Sequence, residues 1–251
     1  MKPDPAARMR LFTFPYAGGG AGIYRPWSDL LPSWIDVCAV QPPGREGRFG
    51  TAPITDMPTL IQGVTAALLP LLDRPFAFFG HSLGSLLAYE TALAIARKGA
   101  PAPLLLIVSG HVAPQLPPLR PPVYALPDDV LLREIARLNG TSTEVLQNPE
   151  ILELFLPLLR ADFQLADTYI APAGEQLTCP IMALGSDDDD YLNAASLAAW
   201  GELTCGSFET HMFEGDHFYI NSRRAALIAH ITPALVQRFA ACQSGPSASL
   251  T

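Results

Sequence analysis

Basic residues are scarce. Lys2 and Lys98 are the only lysines in 251 residues, and Lys plus Arg total 16 against 24 Asp plus Glu, a formal net charge of −8. No block of basic residues exists to neutralise phosphates, which excludes a nucleic-acid binder and argues against docking on anionic membranes. The four cysteines, Cys38, Cys179, Cys205 and Cys242, are widely scattered. No pair has metal-ligand or redox spacing, so they read as reduced packing residues and no metal site is expected. No apolar run reaches 18 residues, which predicts no membrane-spanning helix. Met1-Lys2-Pro3-Asp4-Pro5 leads into no secretory apolar core, so a cytoplasmic protein is the default. Charged residues are only 16% and apolar residues 49%. A chain of this length and apolarity buries a sizeable core, and one α/β domain accommodates it.

Short apolar runs alternate with helical stretches. Strands are expected at Leu11 to Pro15, Ile35 to Gln41, Phe76 to Gly80, Leu104 to Ser109, Ile181 to Gly185 and Phe208 to Phe213. The runs FAFFG and LLLIVS are continuously apolar, as parallel strands covered on both faces must be. Helices are expected over Thr59 to Leu72, Leu83 to Arg97 and Ser222 to Ala240. Strand alternating with helix predicts a mostly parallel sheet flanked by helices. Residues 113–127 carry six prolines and admit neither strand nor helix; helices follow at Asp128 to Leu138 and from Pro149 to about Tyr169. An insertion over about 113–175, between two strands, reads as a lid over a site, or as a helical decoration without gating. Residues 1–8 and 243–251 read as loose ends. The flanks carry no interface pattern, and a monomer is the default.

Gly80-His81-Ser82-Leu83-Gly84 fits G-x-S-x-G between a strand and a helix, the context that gives the pattern meaning. A sharp turn there exposes the serine, and flanking glycines remove Cβ groups that would clash. A serine needs a base. Of five histidines, His217 sits between the last strand and the last helix, at the sheet edge where Ser82 also lies. His111, after another strand end, is the rival. His211 falls in a strand and His230 in a helix, and the strand pleat should turn His81 away from the site. An acid belongs between serine and histidine, and Ser186-Asp187-Asp188-Asp189-Asp190-Tyr191 offers four aspartates. Chemistry alone leaves the choice among them open, and their spacing is not that of a calcium loop. An oxyanion hole needs backbone N–H groups, one from Leu83 and one from the loop FPYAGGGAG at 14–22. That loop lacks the ending and glycine spacing of phosphate-binding loops.

With these residues in place the chain resembles the type II, or editing, thioesterases of polyketide and nonribosomal peptide assembly lines. The stretches that carry the likeness are FPYAGGGAG (14–22), QPPGREGR (41–48), GHSLG (80–84), LRADFQLADTY (159–169), GSDDDDY (185–191) and GDHF (215–218). The resemblance implies an α/β-hydrolase fold with a mobile helical lid, Ser82 as nucleophile and His217 as base. It places the acid at Asp189, with Asp187 as second choice, because Asp190 stands where relatives usually carry proline. It maps the oxyanion donors to the N–H groups of Ala17 and Leu83. It implies hydrolysis of acyl thioesters on the phosphopantetheine arm of acyl or peptidyl carrier domains, with no cofactor. Arg45, Arg48, Arg120 and Arg133 are candidates for docking an acidic carrier, or plain solvated arginines. Leu152, Leu154, Phe155, Leu158 and Phe163 either line an acyl pocket or pack the lid down. A general carboxylesterase on the same fold, a non-catalytic carrier-binding protein and a chain-terminating cyclase are the other readings.

Overall fold

The computed structural model describes residues 4–138, 148–172 and 174–244. Six strands, β1 (Met9–Phe14), β2 (Ile35–Ala39), β3 (Phe76–His81), β4 (Leu106–Ser109), β5 (Ile181–Ser186) and β6 (Phe208–Phe213), form one sheet in the order β2-β1-β3-β4-β5-β6. Every pairing is parallel. The order turns back between β1 and β3, and the loops leaving their carboxyl ends open a crevice there. All six strands lie at or within two residues of their expected positions.

Helix α1 (Met57–Leu68) is capped by Asp56, whose carboxylate accepts the Thr59 N–H at 2.9 Å. Helix α2 (Leu83–Arg97) follows β3 without a loop and is buried along most of its length. The insertion between β4 and β5 carries α3 (Asp128–Arg137) and α4 (Pro149–Thr168). The side chain of Asn148 accepts the N–H groups of Glu150 and Ile151 and so starts α4. A short α5 (Ala194–Ala198) is closed by a reciprocal Asn193–Ser196 capping box. After β6 come α6 (Tyr219–Ser222) and the long α7 (Arg224–Gln243).

The core has a layer on each face of the sheet. On one, α1 and α2 pack Leu60, Val64, Leu86 and Tyr89 over Phe12, Phe76 and Phe78. On the other, α7 and a 3-10 turn over Ala21–Trp27 cover Met9, Leu11 and Phe79. Trp27 is fully buried, with its ring 4.6 Å from Phe79 and 5.1 Å from Tyr24. A smaller cluster, Val123, Leu131, Ile135, Leu159 and Phe163, holds the insertion together.

Two expectations change. Residues 4–8 are not loose: the Arg8 N–H donates to the Trp34 carbonyl, and Arg74 donates to the Ala7 carbonyl at 2.5 Å. At the other end α7 runs through Gln243; residues 1–3 and 245–251 lie outside the described residues. The second concerns α7 itself, which by length and composition is long and apolar enough to cross a membrane. Polar residues dispersed along the helix break the run in sequence. Leu227, Ile228, Ile231, Leu235 and Phe239 spend its apolar face on the sheet.

The turn from β3 into α2 leaves no room for side chains. A Cβ on Gly84 would lie 2.1 Å from the Phe14 carbonyl oxygen, and one on Gly80 would lie 2.0 Å from the Gly84 oxygen. Both obstacles are backbone, so relief requires moving strands. Gly84→Ala is expected to lower the unfolding free energy by at least about 2 kcal/mol, read as a lower urea midpoint with an unchanged slope.

Candidate active site

Ser82 sits at the head of α2 with φ +54° and ψ −123°, a conformation that costs roughly 1–3 kcal/mol for a non-glycine residue. The surroundings hold it there. Its N–H donates to the Ser109 carbonyl at 2.7 Å, and its carbonyl accepts from the Ser85 N–H at 2.9 Å. The buried Ser85 Oγ lies 2.9 Å from both the Gly80 and Ser109 carbonyl oxygens and accepts the Ser109 N–H at 3.0 Å. The turn is thus stitched to β4.

The aspartates after β5 divide the work. Asp189, with a fully buried side chain, brings Oδ2 to 2.7 Å from His217 Nδ1, and its Oδ1 accepts the Tyr191 N–H at 2.8 Å. That bond fixes Nδ1 as the protonated nitrogen of a neutral imidazole and leaves Nε2 as acceptor. Asp187 instead accepts the Gly215 N–H at 2.9 Å and shapes the turn that carries His217. The Asp188 N–H bonds the Gly215 carbonyl. Asp190 faces outward and pairs with Arg120 at 2.5 Å and Arg137 at 3.4 Å. The structure therefore brings Asp189, not Asp187, to the imidazole.

The His217 ring packs 5.0 Å from His81, 5.1 Å from Phe218 and 5.5 Å from Tyr191. His81 does not line the cavity and is fully buried behind His217. Its Nδ1 is bonded to Ser109 Oγ at 2.8 Å, and Ser109 Oγ to Tyr219 Oη at 2.6 Å. Burial pushes the His81 pKa well below its ordinary value, and the nearby His217 adds to the effect. His111, the rival base, turns Nδ1 to the Val112 carbonyl at 2.8 Å and has no orienting carboxylate among the described residues; burial lowers its pKa too. His211 and His230 stack on each other at 4.1 Å and do not line the cavity.

Ser82 and His217 share the wall of a cavity of about 310 Å³. Ala17 and the glycines that follow it form another part of the wall, and the insertion covers the cavity with Leu132, Ile135, Leu152, Phe155, Leu159 and Phe163. The N–H groups of Ala17 and Leu83 have no acceptor in the described structure. Leu83 opens α2, so its N–H is one that the helix itself leaves unpaired. Of the other apolar candidates, Leu158 is core and Leu154 is exposed.

The arginines sort differently from the docking expectation. Arg45 is buried and bound to Asp162, so it is no surface contact. Arg48 donates to the Gln41 carbonyl, Arg133 pairs with Asp129 one helical turn away, and Arg120 lies over the Tyr191 ring at 4.6 Å on the cavity wall. Sequence reasoning missed Asp162, Gln41 and Glu46, which bind the N–H groups of Gly18, Ala21 and Gly22. Their signal was present only as the stretches QPPGREGR and LRADF. Among the described residues no three His, Cys, Asp or Glu side chains are placed to hold a metal ion.

A nucleophile elbow, a carboxylate-bound imidazole and an apolar cavity on a parallel sheet define a serine hydrolase site on an α/β-hydrolase fold. Residues 9–235 match the family model described as a thioesterase domain, and the chain belongs to that family. It is 41% identical over 225 residues to the gramicidin S biosynthesis protein GrsT of Aneurinibacillus migulanus, covering 90% of this chain and 88% of that one. Among solved structures it resembles RedJ, a thioesterase of the prodiginine pathway in Streptomyces coelicolor, with a TM-score of 0.85, 36% identity and coverage of 92% and 87%. It also resembles the type II thioesterase BorB of the borrelidin cluster, with a TM-score of 0.79, 34% identity and coverage of 92% of each chain.

The depressed imidazoles set a pH dependence. The unfolded chain takes up protons on His81 and His111 near pH 6.5 while the folded chain takes them up only at lower pH, so these two groups cost stability as pH falls below about 6.5. Replacing His81 by Gln should flatten the fall by up to about 1.4 kcal/mol per pH unit, followed by urea unfolding between pH 7 and 5. The His81 Cε1–H resonance should stay at its neutral-form shift over the same range.

Proposed function

We propose that this thioesterase hydrolyses acyl groups from the phosphopantetheine arm of acyl or peptidyl carrier domains, releasing stalled or aberrant intermediates of polyketide and nonribosomal peptide synthesis. The observation that carries this reading is that Ser82 and the Asp189-bound His217 line one apolar cavity. In the proposed route His217 Nε2 takes the Ser82 hydroxyl proton as Oγ attacks the thioester carbonyl carbon. Asp189 holds the imidazole in the needed tautomer and stabilises its cation. The Ala17 and Leu83 N–H groups receive the oxyanion, an interaction worth about 3–4 kcal/mol per donor in comparable sites. Collapse breaks the C–S bond, and the protonated His217 delivers its proton to the departing sulfur. Water then attacks the acyl-Ser82 ester, gives a proton to Nε2, and the acid leaves as Ser82 recovers its proton. The route draws only on side chains, backbone and water, with no cofactor.

The apolar residues that α3 and α4 set over the cavity support the reading of the insertion as a lid over the acyl group. Relatives named for antibiotic pathways support an assembly-line role, and GrsT and BorB support a free-standing enzyme. The four free cysteines fit a reducing cytoplasm.

The test is single-turnover release of acetyl, propionyl and longer acyl groups from a phosphopantetheinylated carrier, beside the matching CoA thioesters and a p-nitrophenyl ester. Release from the carrier should be fastest, and Ser82→Ala should abolish it. Asp189→Asn should lower kcat by about 10⁴-fold while Asp187→Asn changes it far less. Equal or better turnover of the simple ester would refute carrier specificity and leave a general esterase.

A further inference from the structure

The glycine loop after β1 is held in shape from outside. The Gly18 N–H donates to Asp162 Oδ2 at 2.7 Å, and the Gly19 carbonyl accepts from Arg45 Nη1 at 3.0 Å. Arg45 and Asp162 meet fork to fork, Nη1 to Oδ2 and Nη2 to Oδ1, both at 2.8 Å. Arg45 is 4% and Asp162 2% exposed. Arg45 follows β2, and Asp162 belongs to α4 of the insertion. Both carboxylate oxygens accept from the guanidinium and one also from a peptide N–H, contacts that favour the ionised form against the burial that pushes the Asp162 pKa up.

A buried ion pair is a poor device for stability alone. Two charges leave water, and an apolar pair of similar size often does as well or better. What this pair supplies is direction. It holds the Gly18 N–H, part of the peptide that joins Ala17 to Gly18, and the Gly19 carbonyl, two peptides further on. Gly18 has φ +75°, and a Cβ there would lie 2.7 Å from Leu159 Cδ2, so α4 also presses directly on the loop. The Ala17 N–H, one residue upstream of the clamp, is left with no acceptor.

We infer that Asp162 and Arg45 are positioning residues for the oxyanion hole, holding the loop after β1 so that the Ala17 N–H faces the reacting carbonyl. The inference rests on the thioesterase reading of this site. It makes the insertion part of transition-state binding as well as a cover. Helix α4, which lines the cavity with Leu159 and Phe163, is also the element that sets an oxyanion donor.

The test compares Asp162→Asn, the apolar double variant Arg45→Met/Asp162→Leu, and Ser82→Ala. Each is assayed for kcat and KM on an acyl-CoA, for inhibition by a trifluoromethyl ketone analogue of the thioester, and for melting temperature. Asp162→Asn should lose about 10- to 100-fold in kcat, with KM changed less than about threefold. Affinity for the ketone, which needs the oxyanion donors, should fall by a similar factor. The double variant should melt near or above the parent and still show the kcat loss. A double variant that regains both thermal stability and full kcat would overturn the inference and leave the pair a structural strut. Where neither variant folds, Arg45→Lys decides: it keeps the charge, gives up the fork, and must lose kcat and ketone affinity together. Wild-type values in that variant overturn the inference. Undiminished turnover by Ser82→Ala would bring down the underlying thioesterase reading instead, so the two failures are distinguishable.

Discussion

The closeness of α2 to β1 governs the rest of the molecule. Gly84 rests against the Phe14 carbonyl, and the turn at Ser82 exists because Gly80 and Gly84 have nothing there to collide. That contact brings the residue after β3 beside the loop after β1, across the point where strand order reverses. Main-chain packing therefore places Ser82, while the loop that faces it is held by the Asp162 and Arg45 side chains as well. The strain at Ser82 is sustained by buried hydrogen bonds to β4.

Around this frame the acidic loop illustrates how position assigns work among identical residues. Four consecutive aspartates share one chemistry, yet only the carboxylate of Asp189 is buried against an imidazole. Asp187 shapes the neighbouring turn and Asp190 reaches arginines of the insertion. Behind the imidazole, burial depresses the basicity of His81 and so favours an uncharged ring beside His217.

The fold was legible because its signals are local. Continuous apolar runs declare covered parallel strands, and β6, with its mixed residues, was found from its place in the alternation. The elbow was legible because glycine spacing and flanking elements coincide in five residues. The choice of Asp189 over Asp187 on residue chemistry alone was not legible, since it depends on how Gly215 lets the opposite loop turn, at φ +122°. The Arg45–Asp162 pair joins residues 117 apart in the chain, a separation across which no periodicity speaks. Arg45 therefore read as a surface cation. The pleat likewise indicates which side of the strand the His81 ring leaves, but not that the last loop folds back against that side.

Helix α7 has a bearing on how the chain reaches this state. It covers Met9, Leu11, Ile35 and Val37, residues translated some two hundred positions earlier. Until α7 is synthesised, that face of β1 and β2 has only the turn over Ala21–Trp27 to cover it, and the rest stays open to water, chaperones and other nascent chains. The first two strands of the sheet thus wait for an element that lies far along the chain from them. A helix apolar enough to suit a bilayer is what closes the wait, so its docking on the sheet decides at once the completion of the core and the concealment of its stickiest surface.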